Sequence, residues 1–180
     1  MPCKSSRYHI ADITFLVPVR IDSEERKLNL ISVIKFLSIN FSSNIHVLEA
    51  DSVQRFDPVE IDADYSYHFI SDNDEIYYKA HYVNILLNNA ETKFAAVWDS
   101  DVIAYPEMVI NGTWRLKKNE SFLIMPYDGR VFSIDPLMSS VFRQRMGINI
   151  LKENIALFQL AYGYHSTGGA YFIEREKYLA

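Results

Sequence analysis

Two carboxylates separated by one residue follow a wholly apolar segment near the middle of the chain. The segment is 94–98, and the acids are Asp99 and Asp101, with Ser100 between them. A short apolar run of this kind predicts a buried strand of a mostly parallel sheet. On an extended backbone the two acids would point the same way, and they would repel each other unless a cation lay between them. Because Mg²⁺ and Mn²⁺ prefer oxygen ligands and keep positions open for phosphate, the pair predicts a metal site that holds a phosphorylated ligand.

The same pattern has simpler explanations. An aspartate that follows a strand can also cap a helix or stabilise a turn through its side chain. Two further pairs have the same spacing, at residues 62 and 64 and at residues 72 and 74. Both lie in polar segments that follow no apolar run, so we interpret them as solvated loops. The apolar segment in front of Asp99 is what favours metal binding for that pair.

The composition limits the classes of protein that need to be considered. The 180 residues are 49% hydrophobic and 14% aromatic, which excludes a disordered chain and fits one domain with a full core. A net charge of −5, without a run of Lys or Arg, argues against nucleic-acid binding, and the single cysteine excludes an internal disulfide. No apolar run approaches the ~20 residues of a membrane span, and no signal peptide is evident. We therefore expect no transmembrane segment and a cytoplasmic protein, either free or at the inner face of a membrane.

The hydrophobic pattern predicts the elements that position the acid pair. Residues 13–19 and 45–51 are rich in β-branched and aromatic side chains, which predicts two strands. The segment between them can be capped by Asp22 or Ser23 and repeats apolar residues at helical spacing up to a turn at 40–44. The remaining predicted elements are a strand at 65–70, a helix at 76–89, a helix that starts at 106, a hairpin of 122–127 with 131–134, a helix at 136–145 and a strand at 170–173.

This order predicts an α/β domain with a mostly parallel sheet flanked by helices and a nucleotide-type binding edge. Four segments in succession, VPVR, the acid Asp51, YYKAHYVNILLNNA and FAAVWDSDV, resemble the GT-A glycosyltransferases, most closely their family 2-like members. The resemblance implies the GT-A type of nucleotide-diphospho-sugar transferase fold. It further implies a single domain over 1–180, with a nucleotide-binding half at 13–104 and the start of an acceptor half at 105–180.

The resemblance also assigns roles to individual positions. It implies that Asp99 and Asp101 bind a Mn²⁺ or Mg²⁺ ion that bridges the diphosphate of a sugar nucleotide, with a UDP-sugar as the first expectation. The positions it implies for binding the substrate are Pro18, Val19 and Arg20 after the first strand, Asp51 for the base, Lys79 and Asn84 in the helix, and Ser100 between the acids. Val83 stands where the family usually has an Arg directly before that Asn.

A glycine pair, Gly168 and Gly169, precedes the last apolar segment. Adjacent glycines let a backbone approach a ligand closely, and a simple tight turn is an equally good explanation. The segment resembles the Gly-Gly segment of the galactosyltransferase-like group, which lines the donor-sugar and acceptor pocket. In that group a Trp-Gly-x-Glu-Asp segment follows about one helix later and supplies the acceptor-binding or base carboxylate. This chain ends at Ala180, so the resemblance implies a chain truncated at its C-terminus and without that base.

The reaction implied by the resemblance is transfer of a sugar to a hydroxyl of a saccharide or other acceptor. A cation held by the acid pair would neutralise the charge that develops on the leaving diphosphate, and Lys79 or Arg20 could add further positive charge there. An inverting enzyme also needs a base to take the hydroxyl proton. Asp128 and His165 are the candidates for that role in the chain, although both are more often structural residues.

Two other functions fit the acid pair. In a phosphatase of the haloacid-dehalogenase type, Asp99 would be the nucleophile. That fold places the motif on its first strand, whereas two or three strands precede it here. A non-catalytic fragment that binds a sugar nucleotide is the second alternative, and it would bind the nucleotide and metal without turnover.

Overall fold

The central strand of the fold contains seven consecutive buried residues, 13–19, with side chains on both faces of the sheet covered. The computed structural model describes residues 7–164 and 166–180. The strands are β1 (Tyr8–Val19), β2 (Phe41–Asp51), β3 (Ser66–Ser71), β4 (Phe94–Trp98), β5 (Leu123–Ile124), β6 (Val131–Ser133), β7 (Gln159–Tyr162) and β8 (Ala170–Glu174). The helices are α1 (Glu24–Asn40), α2 (Lys79–Asn89), α3 (Pro106–Lys117), α4 (Pro136–Arg145), α5 (Ile148–Glu153) and α6 (Arg175–Leu179), with 3-10 turns at Pro58–Glu60 and Ile155–Leu157.

Six strands form one sheet in the order β3-β2-β1-β4-β8-β5. The first four of these are parallel to one another, and β8 runs antiparallel to both β4 and β5. The predicted α/β fold with a mostly parallel sheet flanked by helices is confirmed. Because the four parallel strands point the same way, the segments that follow β1 and β4 meet at one edge of the sheet.

The helices cover both faces of this sheet. On β1, Phe15 and Val17 belong to one buried cluster, which contains α1 and α3 side chains, while Leu16 belongs to the cluster formed with α2. The alternation follows from the two-residue period of a strand. A parallel strand covered on both faces has a nearly continuous apolar sequence, as residues 13–19 and 94–98 do.

Helix α1 begins where the sequence predicted and ends without the predicted turn. The Ser23 hydroxyl accepts a hydrogen bond from the Arg26 backbone nitrogen at 3.2 Å, so Ser23 is the N-cap, and Glu24 and Glu25 lie in the favourable first turn. The helix extends through residue 40, and β2 starts at residue 41. The turn predicted at 40–44 is therefore wrong, because those residues are divided between a helix and a strand.

The predicted hairpin of 122–127 with 131–134 is also wrong. Strand β5 pairs with β8, whereas β6 pairs with β7, nearly thirty residues further along the chain. The pattern of two apolar segments around a short turn did correctly indicate strands, but their partners are set by which strand presents a free edge nearby.

Helix α2 starts at Lys79, three residues later than predicted. Within the described residues, no helix is long and apolar enough to cross a membrane.

Candidate functional site

The acid pair lies on a β-turn that starts where β4 ends. The Val102 nitrogen donates to the Asp99 carbonyl at 3.3 Å, which closes the turn, and the Trp98 indole nitrogen donates to the Val102 carbonyl at 2.8 Å. The Asp99 nitrogen donates to the Gly169 carbonyl at 2.7 Å, which attaches the turn to the start of β8. The sequence had predicted an extended backbone here. The turn, rather than strand alternation, brings the two acids to one cleft.

Two cavities meet at this turn. The smaller has a volume of about 290 Å³ and the larger about 730 Å³. Asp99 and Asp101 are the residues that line both. The smaller cavity is further lined by Pro18, Val19, Arg20, Asp22, Arg26, Tyr77, Lys79 and Ser100. Seven of the predicted substrate-binding or metal-binding positions, Asp99 and Asp101 included, therefore come together in this small cavity, although they lie between residues 18 and 101 of the sequence.

Lys79 forms an ion pair with one member of the acid pair. It is the first residue of α2, and its ammonium group donates a hydrogen bond to the Asp99 carboxylate. The two side chains are 37% and 32% exposed, so the pair lies at the mouth of the cavity rather than in the core. Positive and negative side chains are equal in number in the smaller cavity, three of each. A divalent cation and a diphosphate would add opposite charges and keep this balance.

Arg20 lines the smaller cavity but its hydrogen bonds go to the protein. Its guanidinium donates to the backbone carbonyls of Ala50 at 3.1 Å and Asp74 at 2.8 Å, and it reaches the Asp72 carboxylate at 3.4 Å. Asp72 also accepts a hydrogen bond from the Tyr82 hydroxyl of α2. Asp72 is thus an anchor for the segment that leads into α2, not the solvated loop residue that we predicted. Arg20 acts on the site indirectly, because this segment sets the position of Lys79.

The electrostatics of the acid pair fit a bound cation. Although Asp101 remains accessible to solvent at the cleft, burial among the surrounding protein atoms raises its pKa, and the negative charge of Asp99 raises it further. A divalent ion between the two side chains would relieve the repulsion that Asp99 exerts on Asp101. Among the described residues, no group of three or more His, Cys, Asp or Glu side chains converges on one point. Asp99 and Asp101 could each supply an oxygen ligand, and a Mg²⁺-type ion would take further ligands from phosphate and water.

Tyr77 was not predicted as a site residue. It lines the smaller cavity, its ring stacks on Tyr82 with centroids 5.0 Å apart, and the Arg20 guanidinium lies 5.3 Å from its centroid. Burial raises the pKa of the Tyr77 hydroxyl, which has no hydrogen-bond partner among the described residues. A buried hydroxyl without a partner is costly, and such groups in folded proteins call for an explanation. Tyr77 is the first residue of the segment YYKAHYVNILLNNA, which carries the resemblance, but neither its type nor its spacing distinguished it there.

The glycine pair lies at the larger cavity, which both residues line. Gly169 has a φ of +80°, and a Cβ at this position would lie 3.2 Å from the Val102 side chain. Its carbonyl accepts the Asp99 hydrogen bond described above, while the Gly168 carbonyl accepts a hydrogen bond from the Tyr127 hydroxyl. Only glycine adopts this backbone conformation without strain. The glycine pair thus forms a tight turn and also lines the cavity next to the acids.

Three predicted residues are not brought into the cleft. Asp51 lies at the end of β2, where its carboxylate accepts from the Ser52 nitrogen at 2.7 Å, and Asn84 is exposed on α2. Asp128 is exposed and paired with Arg130 at 2.7 Å, and the hydrogen bond from Arg130 lowers the pKa of Asp128. A lowered pKa makes a carboxylate a weaker base. None of these three lines either cavity. The other base candidate, His165, lies outside the described residues.

Glu49 is a buried acid that no motif had indicated. It lies near the end of β2 with no exposed surface, and it accepts hydrogen bonds from the backbone nitrogens of Arg55 at 2.9 Å and Phe56 at 3.2 Å. The Tyr67 hydroxyl donates to it at 2.6 Å. Burial first, and then this contact with Glu49, raise the pKa of Tyr67. Glu49 therefore fastens the loop after β2 to β3, close to the edge of the sheet where the site lies.

Comparison with known proteins identifies the fold and not the family. No family model and no curated protein matches the chain. Among solved structures, the glucosyl-3-phosphoglycerate synthase of Mycobacterium tuberculosis, in complex with Mn²⁺, UDP-glucose and phosphoglyceric acid, matches with a TM-score of 0.50 and 16% identity over 96% of this chain and 58% of that one. The mannosyltransferase PcManGT of Pyrobaculum calidifontis, in complex with GDP-mannose and Mn²⁺, matches with a TM-score of 0.46 and 18% identity over 100% of this chain and 49% of that one.

A third match is TarS of S. aureus, with a TM-score of 0.43 and 16% identity over 62% of this chain and 34% of that one. The chain therefore spans from about a third to somewhat more than half of the length of these three proteins. Its fold is that of the GT-A-type glycosyltransferases.

Proposed function

We propose that the chain forms the donor-binding part of a metal-dependent glycosyltransferase, which moves a sugar from a nucleoside diphosphate sugar to an acceptor hydroxyl. The observation that carries the proposal is the position of Asp99 and Asp101 at the junction of two cavities. The smaller cavity has equal numbers of positive and negative side chains among its described lining residues, and most of the described side chains that line the larger cavity are uncharged. A transfer reaction between two substrates needs two adjoining compartments with the reacting centre between them.

The smaller cavity suits the nucleoside diphosphate. It follows the carboxyl ends of β1 and β4, the usual place for a nucleotide in an open α/β sheet. Lys79 and Arg26 supply positive charge there, and the unpartnered Tyr77 hydroxyl can donate to or accept from a polar ligand. We propose residues 13–104, which contain these elements, as the nucleotide-binding half, and 105–180 as the start of the acceptor half. A UDP-sugar is the first donor to test.

The oxygen ligands of a Mn²⁺ or Mg²⁺ ion would be Asp99 and Asp101, completed by the diphosphate and water. When bound, such an ion supplies positive charge to the leaving diphosphate and so lowers the barrier. The lysine ammonium can leave Asp99 for a phosphate oxygen once that carboxylate has another partner. Lys79 then stabilises the departing diphosphate, while Arg20 holds the segment in front of α2 in place.

The haloacid-dehalogenase alternative receives no support from the strand order. The acid pair follows β4, the fourth strand along the chain, and the sheet continues beyond it through the antiparallel β8. Trapping of a phosphoryl group on Asp99 would nevertheless reveal that activity. A fragment that binds the nucleotide without turnover is the other alternative, and it predicts the same binding results as the transferase.

The test is thermal unfolding with UDP-, GDP- and CDP-sugars, each with and without Mn²⁺. A ligand at a hundred times its dissociation constant adds ~2.7 kcal/mol to the unfolding free energy, which is about 5–10 °C for a chain of this length. We expect one nucleotide class to give such a shift only when Mn²⁺ is present. The variant Asp101→Ala should remove the metal dependence and leave the melting temperature of the free protein nearly unchanged.

The chain provides a matched control for this variant. Asp62 and Asp64 have the same spacing as the acid pair and are exposed. The double variant Asp62→Ala with Asp64→Ala should therefore retain the full metal-dependent shift. A chain that no nucleotide stabilises in the presence of Mn²⁺ contradicts the proposed function.

A further inference from the structure

The larger cavity is bounded on one side by an ion pair between α1 and α4. The Nη2 atom of Arg143 donates hydrogen bonds to the Glu25 carboxylate and, at 2.8 Å, to the side-chain oxygen of Asn29. Arg143 is 21% exposed and Glu25 is 60% exposed, so the guanidinium is the more buried partner. The pair joins two segments more than a hundred residues apart, and all three side chains line the cavity. It is therefore part of the binding surface.

Charge in this cavity is predominantly negative. Among the described residues that line it, the acids are Glu25, Asp99 and Asp101, and Arg143 is the only cation. A divalent ion on the aspartates would offset those two charges, and Glu25 offsets Arg143. The described lining residues then leave no unbalanced positive charge to attract a phosphate or a carboxylate. An anionic ligand would instead meet the negative end of an ion pair that is open to solvent.

The neutral part of the lining favours hydroxyl groups. Besides Asn29, its hydrogen-bonding side chains are Ser32, Ser133, Ser139, Ser166 and Thr167. The Arg143 guanidinium has five N–H donors, of which the two contacts above use at most two, and a charge-compensated guanidinium still donates well to neutral oxygen. Such a surface offers several donors and acceptors without a net charge, which matches a ligand with many hydroxyl groups.

An exposed aromatic ring is a second feature of the lining that matches a ligand with many hydroxyl groups. Tyr162 on β7 lines the cavity although its side chain is 60% exposed, and it pairs with Val131 of β6. Phe132 also lines the cavity from β6. Aromatic faces carry negative electrostatic potential, and the C–H bonds on one face of a sugar ring are weakly positive, so the two stack. Tyrosine combines this face with a hydroxyl that remains in water.

We propose that the larger cavity binds a neutral, polyhydroxylated acceptor, such as the end of an uncharged saccharide, and that the Glu25–Arg143 pair excludes acceptors that carry phosphate or carboxylate. The inference rests on the proposed function, because it assigns the acceptor class for the same site. Glu25 is then a specificity-determining residue. Its carboxylate neutralises Arg143, which could otherwise recognise an anion.

The test compares two probes that differ in charge, methyl β-glucoside and glucose 6-phosphate. Binding of each is measured by saturation-transfer NMR titration on the protein loaded with Mn²⁺ and the nucleotide that stabilises it. We expect the neutral probe to bind at least about fivefold more tightly than the phosphorylated one, as like-charge repulsion at a cleft predicts. The variant Glu25→Gln frees the Arg143 charge and should reduce or reverse this preference.

Glu24→Gln is the matched control, since Glu24 is exposed, lies in the same first turn of α1 and does not line the cavity. It removes the same charge and should leave the preference unchanged. A wild-type preference for glucose 6-phosphate, equal effects of the two variants, or no binding of the neutral probe to a nucleotide-loaded protein would each overturn the inference. Loss of nucleotide binding itself would count against the proposed function instead, so the two failures can be distinguished.

Discussion

The contact between Lys79 and Asp99 predicts how metal and nucleotide binding depend on each other. In the free protein the lysine ammonium occupies a carboxylate that we propose as a metal ligand. A metal ion must share or displace that partner, whereas a diphosphate offers the lysine a new one. We therefore expect Mn²⁺ alone to bind weakly and to bind more tightly when the nucleotide is present. The variant Lys79→Met keeps the length of the side chain and removes the charge.

The size of the effect follows from the exposure of the pair. Two unit charges ~4 Å apart interact by about 1 kcal/mol in water and about 4 kcal/mol near a protein surface. Both side chains are about one-third exposed, so solvent screening places the value towards the lower figure. A change of ~1 kcal/mol corresponds to about a fivefold change in a dissociation constant. Lys79→Met should thus bind Mn²⁺ alone about fivefold more tightly, and its Mn²⁺-loaded form should bind the nucleotide about fivefold more weakly.

Electron paramagnetic resonance of free Mn²⁺ measures the first constant, and calorimetric titration of the nucleotide measures the second. Lys117 provides the control, because its ammonium pairs with Asp12 at 2.7 Å, it is 36% exposed, and it lines neither cavity. Lys117→Met should leave both constants unchanged. If Lys79→Met binds Mn²⁺ alone no more tightly than the wild type, the lysine does not compete with the metal and the reasoning is refuted.

Three further predictions concern residues around the site. Glu49→Gln replaces one of the two buried acceptor oxygens with an amide NH2 group that faces a donor, and it should lower the unfolding free energy in urea titration by ~2 kcal/mol. Burial first, and then the charge of His68, hold the pKa of His46 below its ordinary value of 6.5, with Glu91 opposing. The unfolded state binds the proton more readily, so stability should be full above pH 6.5 and fall as the pH drops towards the folded-state pKa. His46→Gln should flatten that fall in urea titrations at several pH values. Tyr77→Phe removes a buried hydroxyl without a partner and should raise the melting temperature of the free protein while weakening nucleotide binding by ~1 kcal/mol in calorimetry, and a melting temperature below wild type would contradict this.

The parts of the site that follow directly from a strand could be predicted. The apolar run 94–98 becomes β4 with the predicted bounds, and Asp99, Ser100 and Asp101 follow it at the edge of the sheet. The strand and the edge could be predicted because burial on both faces leaves a recognisable apolar run, and parallel strands carry their following segments to the same edge. The contact of Lys79 with Asp99 was not among the predictions, and the roles of these residues towards a ligand stay predictions.

Residues that act through a distant partner could not be predicted. Arg20 lines the smaller cavity, so its contact with a ligand stays a prediction. Its hydrogen bonds to Ala50 and to the segment before α2 could not be predicted, because those carbonyl groups lie within reach only once β1, β2 and β3 are paired. Glu49 and Asp51 lie two residues apart near the end of β2, and it is Glu49 that accepts a hydrogen bond from Tyr67. Local sequence contains no information on this, since the partner lies on another strand.

Side-chain periodicity and burial are local properties, so the sequence was enough to locate the strands of the sheet, and with them the edge at which the acid pair lies. Which strands pair depends on the folded chain, as the separate partners of β5 and β6 demonstrate. The tertiary structure also decided that Arg143 is neutralised by Glu25 from the other end of the chain, which sets the charge of the larger cavity. Pairing and charge compensation depend on contacts between distant segments, and such contacts exist only once the chain has folded.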